Sequence, residues 1–346
     1  RWNNSHNPSG TKRSMIVTAM QATDRAKCND VLAAVHQIAG GRAEKAEQPA
    51  VVSHYTLYMS GKQRPEGTLG LDPWSKGSRI CGLCGEFRKM TRAHVPPQAA
   101  GNTGPVTSAT VRVYRSQRTT GRPRTGGMWL RGLCQDCNSL AGENYDAAYG
   151  DFTARLAAYF SARTRLRLPA AESAPPVSVA PGRVARSVLI GMFATTPHLR
   201  TMFPSLACDL QHRRPHITMP DGATLRMALY PSRSTRLASM AYGLRILTRR
   251  QHYHVFSEIY FRPLAWALSP NEDRLDVAEL GESAVSSWPV VAQWLQYGDD
   301  VTALDLRDLC RRGILTVGHP LREGHDEWVE TSQNDTAAFL EGSIPP

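Results

Sequence analysis

Cys81-Gly-Leu-Cys84 and Cys134-Gln-Asp-Cys137-Asn138 bracket the segment Ala93-His94-Val95-Pro96-Pro97, and this order decides the fold expected of the chain. In a Cys-x-x-Cys pair, two intervening residues bring both sulfurs to one tight turn, close enough to share a metal in tetrahedral geometry. Two pairs make a closed four-sulfur site of the kind zinc occupies, with Cys81, Cys84, Cys134 and Cys137 as ligands. Cys84 and Cys134 are separated by 49 residues, far more than in a simple zinc ribbon, so the metal closes a large loop. That loop carries His94, a Pro-Pro break, Gly101-Asn102-Thr103-Gly104 and a basic run, none of which a structural clip requires.

The net charge of +11 is unevenly spread. Residues 267–346 hold 5 Lys and Arg against 15 Asp and Glu, whereas residues 1–266 hold 36 against 15. No acid stands between Ala93 and Leu133, where Arg112, Arg115, Arg118, Arg122, Arg124 and Arg131 fall. Such a stretch suits a polyanion, since each arginine that meets a phosphate releases condensed counterions. Nucleic acid is the expected partner. The plainer alternative is solvated arginine, because Arg outnumbers Lys along the whole chain.

With these residues in view, the chain resembles the zinc-bearing subgroup of HNH endonucleases, of the ββα-metal, treble-clef-like class. The likeness covers residues 79–152, about a fifth of the chain. It rests on the first Cys-x-x-Cys, the His-Val-x-Pro segment, the glycine-containing loop, and Cys-x-x-Cys-Asn followed by Gly142 and Asp146. The resemblance implies a general base at His94, a ligand of a catalytic ion at Asn138, and Asn102 as the residue that orients the base. The family usually places Asp, Glu or His directly before the base, but this chain has Ala93. Asp146, or Asp136 inside the second pair, is expected to supply the missing carboxylate.

The activity implied is hydrolysis of phosphodiester bonds in DNA, with RNA as the second polymer to consider. A neutral imidazole takes the proton from water, and one hard cation, Mg²⁺ or Mn²⁺, binds the scissile phosphate. Four thiolates saturate zinc and leave no open position, so two metals with different tasks are expected. Two other readings stand beside this one. The first is a zinc-stabilised nucleic-acid-binding module weakened in catalysis by Ala93; the second is an interaction protein that the zinc unit braces.

At 346 residues and 41% hydrophobic content the chain can hold two or three domains. The class expected is α+β. Residues 1–75 read as a polar, disordered extension with one helix at 26–38 and a true start at Met15 or Met20. Residues 76–166 read as the HNH-like domain, 167–182 as a Pro-rich linker, and 183–346 as an α+β domain that serves substrate choice, gating or homodimer formation and ends in an acidic tail expected to be mobile after Gly324. Strands are expected at 89–95 and 128–133, a mobile loop at 118–127, and a helix from 137–139 to 163 with Leu140, Tyr145, Ala148, Phe152, Leu156 and Tyr159 on its apolar face. The C-terminal part reads as helix on both sides of Pro197 over 183–211, strands at 225–230, 237–247 and 253–261, and helices at 288–297 and 301–311.

No apolar stretch is long enough for a membrane span and no signal-peptide core is present. Four of seven cysteines sit in metal-type pairs, so a cytoplasmic protein in a reducing compartment is expected, with Cys28, Cys208 and Cys310 as lone thiols. The spacing of Cys208, His212 and His216 reads as structural, and His252 and His254 read as surface or interface histidines. Glu258 is expected to pair with Arg262 or Arg245, because an unpaired buried carboxylate is costly. No phosphate-binding glycine loop or nucleophile elbow occurs.

Overall fold

The computed structural model describes residues 76–112, 117–120, 125–160, 175–230, 234–239, 243–244, 251–252, 257–269, 288–305 and 336–343. Its first strands are β1 (Ser78–Ile80), β2 (Phe87–His94), β3 (Val106–Arg112), β4 (Gln117–Thr120) and β5 (Trp129–Cys134), followed by helices α1 (Gln135–Asn144) and α2 (Asp146–Ala157). Next come β6 (Val177–Val179), α3 (Pro181–Thr195), α4 (Leu199–Met202) and α5 (Pro204–Gln211). Strands β7 (Thr224–Leu229), β8 (Ser234–Ser239), β9 (Gly243–Leu244), β10 (Gln251–His252), β11 (Ser257–Phe261), β12 (Leu264–Ser269), β13 (Thr302–Leu304) and β14 (Thr336–Ser343) complete the set, with 3₁₀ turns at Gln98–Ala100 and Ala292–Tyr297.

All strand pairs are antiparallel. A three-stranded sheet, β1-β2-β5, carries the cysteine pairs, and a seven-stranded sheet runs β4-β3-β14-β8-β11-β12-β7. The class is mixed helix and sheet. β7 and β11 stand in one antiparallel sheet where strands are expected, whereas β8 overlaps only the start of the strand expected at 237–247, and Gly243–Leu244 pair instead with β10 in a separate two-stranded sheet. The acidic tail departs from expectation: 336–343 form β14, which pairs with β3 on one side and β8 on the other. Residues 302–304 are strand β13, paired with β6, where a helix was read. Val177–Val179 likewise form a strand inside the stretch read as a linker. Both segments are short and their hydrogen bonds come from a partner more than 100 residues away, which no local pattern announces.

The helix expected to run unbroken from 137 to 163 breaks at Tyr145, whose φ of −129° leaves the helical region. The break lets Tyr145 bury its ring and lets α2 restart with Asp146 in its first turn, where a negative charge meets the helix dipole favourably. Tyr149, Phe152 and Leu156 then face inward. Phe152 and Trp294 meet edge to face at 5.8 Å, Trp266 and Trp294 at 6.0 Å. The Trp266 indole N–H donates to the Tyr149 hydroxyl at 3.2 Å, satisfying a polar atom that burial would otherwise strand.

Helix α3 is the central post. It opens with Pro181, whose missing N–H costs nothing at that position, and is buried on nearly every side, as its apolar sequence requires. Its one buried charge, Arg186, donates to the carbonyls of Arg214, Pro215 and Leu295 at 2.9, 2.6 and 3.2 Å. The last turn of α3 sits on the cysteine sheet. A Cβ at Gly82 would lie 2.2 Å from the Phe193 carbonyl oxygen, and one at Gly132 would lie 1.9 Å from that of Ala194. Only glycine permits so close a backbone approach. The described residues all belong to one compact unit, Gly61–Pro346.

Candidate metal centre and adjoining cleft

The first cysteine pair forms a knuckle in which the Gly85 N–H donates to the Cys81 carbonyl at 2.9 Å. The second pair straddles the junction of β5 and α1, with Cys134 as the last strand residue and Cys137 in the first helical turn. The four Sγ atoms all lie within 4.8 Å of one another, and Cys84 Sγ stands 3.8 Å from Cys134 Sγ. Zinc–sulfur bonds of about 2.3 Å give tetrahedron edges of roughly 3.8 Å, so the four thiols fit such an ion. The four cysteines could hold a metal ion such as zinc, and they are not disulfide-bonded.

Hydrogen bonds from Cys137 and Cys84 hold the Cys81 thiol far below its usual range, and the Cys134 N–H at 3.3 Å also supports its thiolate. Cys137, bonded to that thiolate, is pushed far above the usual range. Protons crowd the cluster because four thiolates repel one another; a divalent cation removes that obstacle. The knuckle is braced from α4, where the Arg200 guanidinium donates to the Leu83 carbonyl.

Beside the cysteines lies a cleft whose lining includes Ala93, His94, Asn138, Asp146 and Ser187. His94 ends β2, Asn138 sits in the first turn of α1, and Asp146 begins α2. His94 Nε2 meets the Gly126 carbonyl at 3.1 Å; a carbonyl only accepts, so Nε2 carries the proton and Nδ1 keeps its lone pair. Burial lowers the His94 pKa from its ordinary 6.5, with Arg92 adding to the effect and the Gly126 bond opposing it. The ring is neutral at pH 7.

Asn102, almost fully buried, clamps the backbone on both sides of His94. Its Nδ2 donates to the carbonyls of Pro96 at 2.5 Å and Met128 at 2.9 Å, and its Oδ1 accepts from the Met128 N–H at 2.6 Å. Asn138 Nδ2 donates to the Arg92 carbonyl at 3.0 Å. Burial raises the Asp146 carboxyl above its ordinary 3.8, while the Ser187 hydroxyl, donating at 2.8 Å, partly restores the charged form. Asp146 is the one acid among the described residues that line the cleft. Asp136 is exposed and paired with Arg88 instead.

The structure therefore brings His94, Asn138 and Asp146 to one cleft and places Asn102 behind it. Ser187 was not legible from sequence, since a serine in an apolar helix gives no signal of a carboxylate 41 residues upstream. The arginines expected on nucleic acid divide: Arg112 and Arg118 lie on the paired strands β3 and β4, and Arg131 on β5. Arg118–Thr120 thus belong to a strand, not to the loop expected. Arg115, Arg122 and Arg124 lie outside the described residues.

Elsewhere, Cys208 is disulfide-bonded, which corrects the reading of a lone thiol. Cys28 and Cys310 lie outside the described residues. His212 Nδ1 lies 2.8 Å from the Cys208 carbonyl and His216 Nδ1 lies 2.7 Å from that of Gln296, structural roles as expected. Glu258 is fully buried and accepts from the Tyr260 hydroxyl at 3.1 Å, while the Arg262 guanidinium stands over the Phe160 ring. Arg245 and His254 lie outside the described residues. Among the described residues, no helix is long and apolar enough to cross a membrane. No family model matches the chain, and neither the curated proteins nor the solved structures contain a match to it.

Proposed function

We propose that the chain is a cation-dependent endonuclease of the HNH kind that hydrolyses phosphodiester bonds in DNA, with zinc in the four thiolates as a scaffold. One observation carries this reading. A hairpin closed by four cysteines collects His94, Asn138 and Asp146 around one cleft, the residue types that phosphodiester hydrolysis needs.

His94 is the general base. Its ring is neutral at pH 7, its Nε2–H is anchored on Gly126, and Nδ1 has a lone pair to take a proton from water. Asn102 positions it by fixing the backbone at Pro96 and Met128, so the imidazole stays aimed at the water it deprotonates. Asn138 commits its amide N–H to Arg92, which leaves Oδ1 to join the Asp146 carboxylate as hard oxygen ligands. A Mg²⁺ or Mn²⁺ ion held there would polarise the scissile phosphate and neutralise charge on the departing oxygen. Asp146 takes over the role of the acid missing at Ala93, and Ser187 steadies it.

The test is cleavage of plasmid and single-stranded DNA by the zinc-loaded chain with Mg²⁺, Mn²⁺ or no divalent ion. Ion-dependent cutting that disappears in His94→Ala supports the reading. A second reading, a nucleic-acid-binding module without catalysis, draws on the buried methyl of Ala93 in the cleft wall. Tight DNA binding with no cutting by either protein would favour it.

A further inference from the structure

The outer face of the β1-β2-β5 sheet carries a second constellation. Trp129 stands directly opposite His94 in the β2–β5 register, half-exposed. The guanidinium carbon of Arg92 lies 4.6 Å from the Trp129 ring centroid and that of Arg131 lies 5.8 Å from it. Both fall inside the range of about 6 Å over which a cation is drawn to an aromatic ring. Arg92 is exposed, two residues before His94 on the same strand. Arg131 commits one amino group to the Met90 carbonyl at 3.0 Å. Among the described residues no carboxylate pairs with either arginine, and Asp136, the acid on the neighbouring helix turn, is engaged with Arg88.

Two guanidiniums drawn to one indole repel each other, and among the described residues nothing of opposite sign is built between them. A bound anion offsets that repulsion. A stacked guanidinium is also held in place with N–H groups at its edge, so it loses little freedom when it meets a phosphate. We propose that Arg92, Trp129 and Arg131 form a phosphate clamp that grips the nucleic-acid strand beside the bond presented to His94, with Trp129 as the positioning residue for both arginines. The assignment of the anion as a nucleic-acid phosphate rests on the endonuclease reading and on the basic, acid-free sequence between Ala93 and Leu133.

The test is binding of fluorescein-labelled oligothymidine to the zinc-loaded full chain without Mg²⁺ or Mn²⁺, across about 50 to 200 mM salt. Arg92→Gln is expected to weaken binding roughly tenfold and to reduce the log–log salt slope by about 0.7, the share of one single-strand phosphate. Trp129→Leu is expected to weaken binding at least as much, and Trp129→Tyr to restore most of it. With Mg²⁺ present, both losses raise KM by more than they lower kcat, which a merely structural role would not do. Retained zinc and an unaltered melting temperature check folding, and Arg92→Gln alone decides the test should Trp129→Leu not fold. If the chain cuts DNA but folded Arg92→Gln and Trp129→Leu bind with unchanged affinity and slope, the clamp is refuted and the endonuclease reading stands. If the chain never cuts but the variants lose binding as described, the clamp stands and the endonuclease reading falls. Binding of anionic phospholipid vesicles in place of oligothymidine would also overturn the clamp.

Discussion

A methyl group added at Gly132 has no room. Its Cβ would stand 1.9 Å from the Ala194 carbonyl oxygen and 2.6 Å from the carbonyl carbon, and ordinary contact begins near 3.4 Å. Strand β5 and the last turn of α3 must therefore part by about 1.5 Å, the difference between those distances. Both partners are backbone, so no side-chain rotation relieves the clash. Overpacking in a core costs about 1–3 kcal/mol, and a backbone obstacle puts Gly132→Ala near the upper end, about 3 kcal/mol. Gly142 provides the control. It is exposed on α1, and a Cβ there would meet nothing nearer than Asp146 Oδ2 at 4.0 Å. Gly142→Ala should stabilise the protein by about 0.5–1 kcal/mol, the helix penalty of glycine. Urea unfolding of the zinc-loaded proteins reads both values, with midpoints shifted in opposite directions. Because Ser187 on α3 holds Asp146, Gly132→Ala should also slow cleavage. A Gly132→Ala midpoint within about 0.5 kcal/mol of the parent would refute the seating of α3 on the hairpin backbone.

Removing the metal with a chelator should release the 49-residue loop between Cys84 and Cys134, which a cross-link of that span stabilises by about 4 kcal/mol; circular dichroism and amide exchange should show loss of the β2–β5 hairpin. The acidic limb of the cleavage rate should have its midpoint below 6.5, since burial lowers the His94 pKa and the neutral base is lost only as pH falls through that lowered value. Stability should fall over the same window, because the unfolded chain binds the proton first as pH drops below 6.5, and half-buried His198, whose pKa desolvation also lowers, acts in the same direction. Asp146→Asn should abolish divalent-cation binding in calorimetry. In the absence of a divalent ion it should also raise the melting temperature at pH 7. The raised carboxyl pKa stabilises the fold below 3.8 and loses that contribution as pH rises, so removing the charge helps at neutral pH.

The cysteine pairs, His94 and the helix after Cys137 were legible because each is local chemistry: a two-residue spacing, a strand end, a helix turn. The same holds for α3 and α5 on either side of Pro197, where proline and apolar runs mark the ends. Long-range partners were not. Nothing in 336–343 announces that this part of the tail enters the middle of a sheet between β3 and β8, since the pairing is decided by strands more than 90 residues away. The break at Tyr145 was hidden as well, because the apolar spacing of Leu140, Tyr145, Ala148, Phe152 and Leu156 runs straight through it. Arg200 on the knuckle and Ser187 beside Asp146 belong to the same class, contacts across the core between residues with no shared pattern.

Two metal ions with different tasks on one hairpin is the central claim. Anomalous scattering from crystals grown with zinc and soaked in Mn²⁺, measured at both absorption edges, tests it most directly. The account predicts zinc within the four Sγ atoms and manganese beside Asp146 and Asn138. Zinc at the thiolates with no manganese in the cleft, or manganese that remains there in Asp146→Asn, would contradict it.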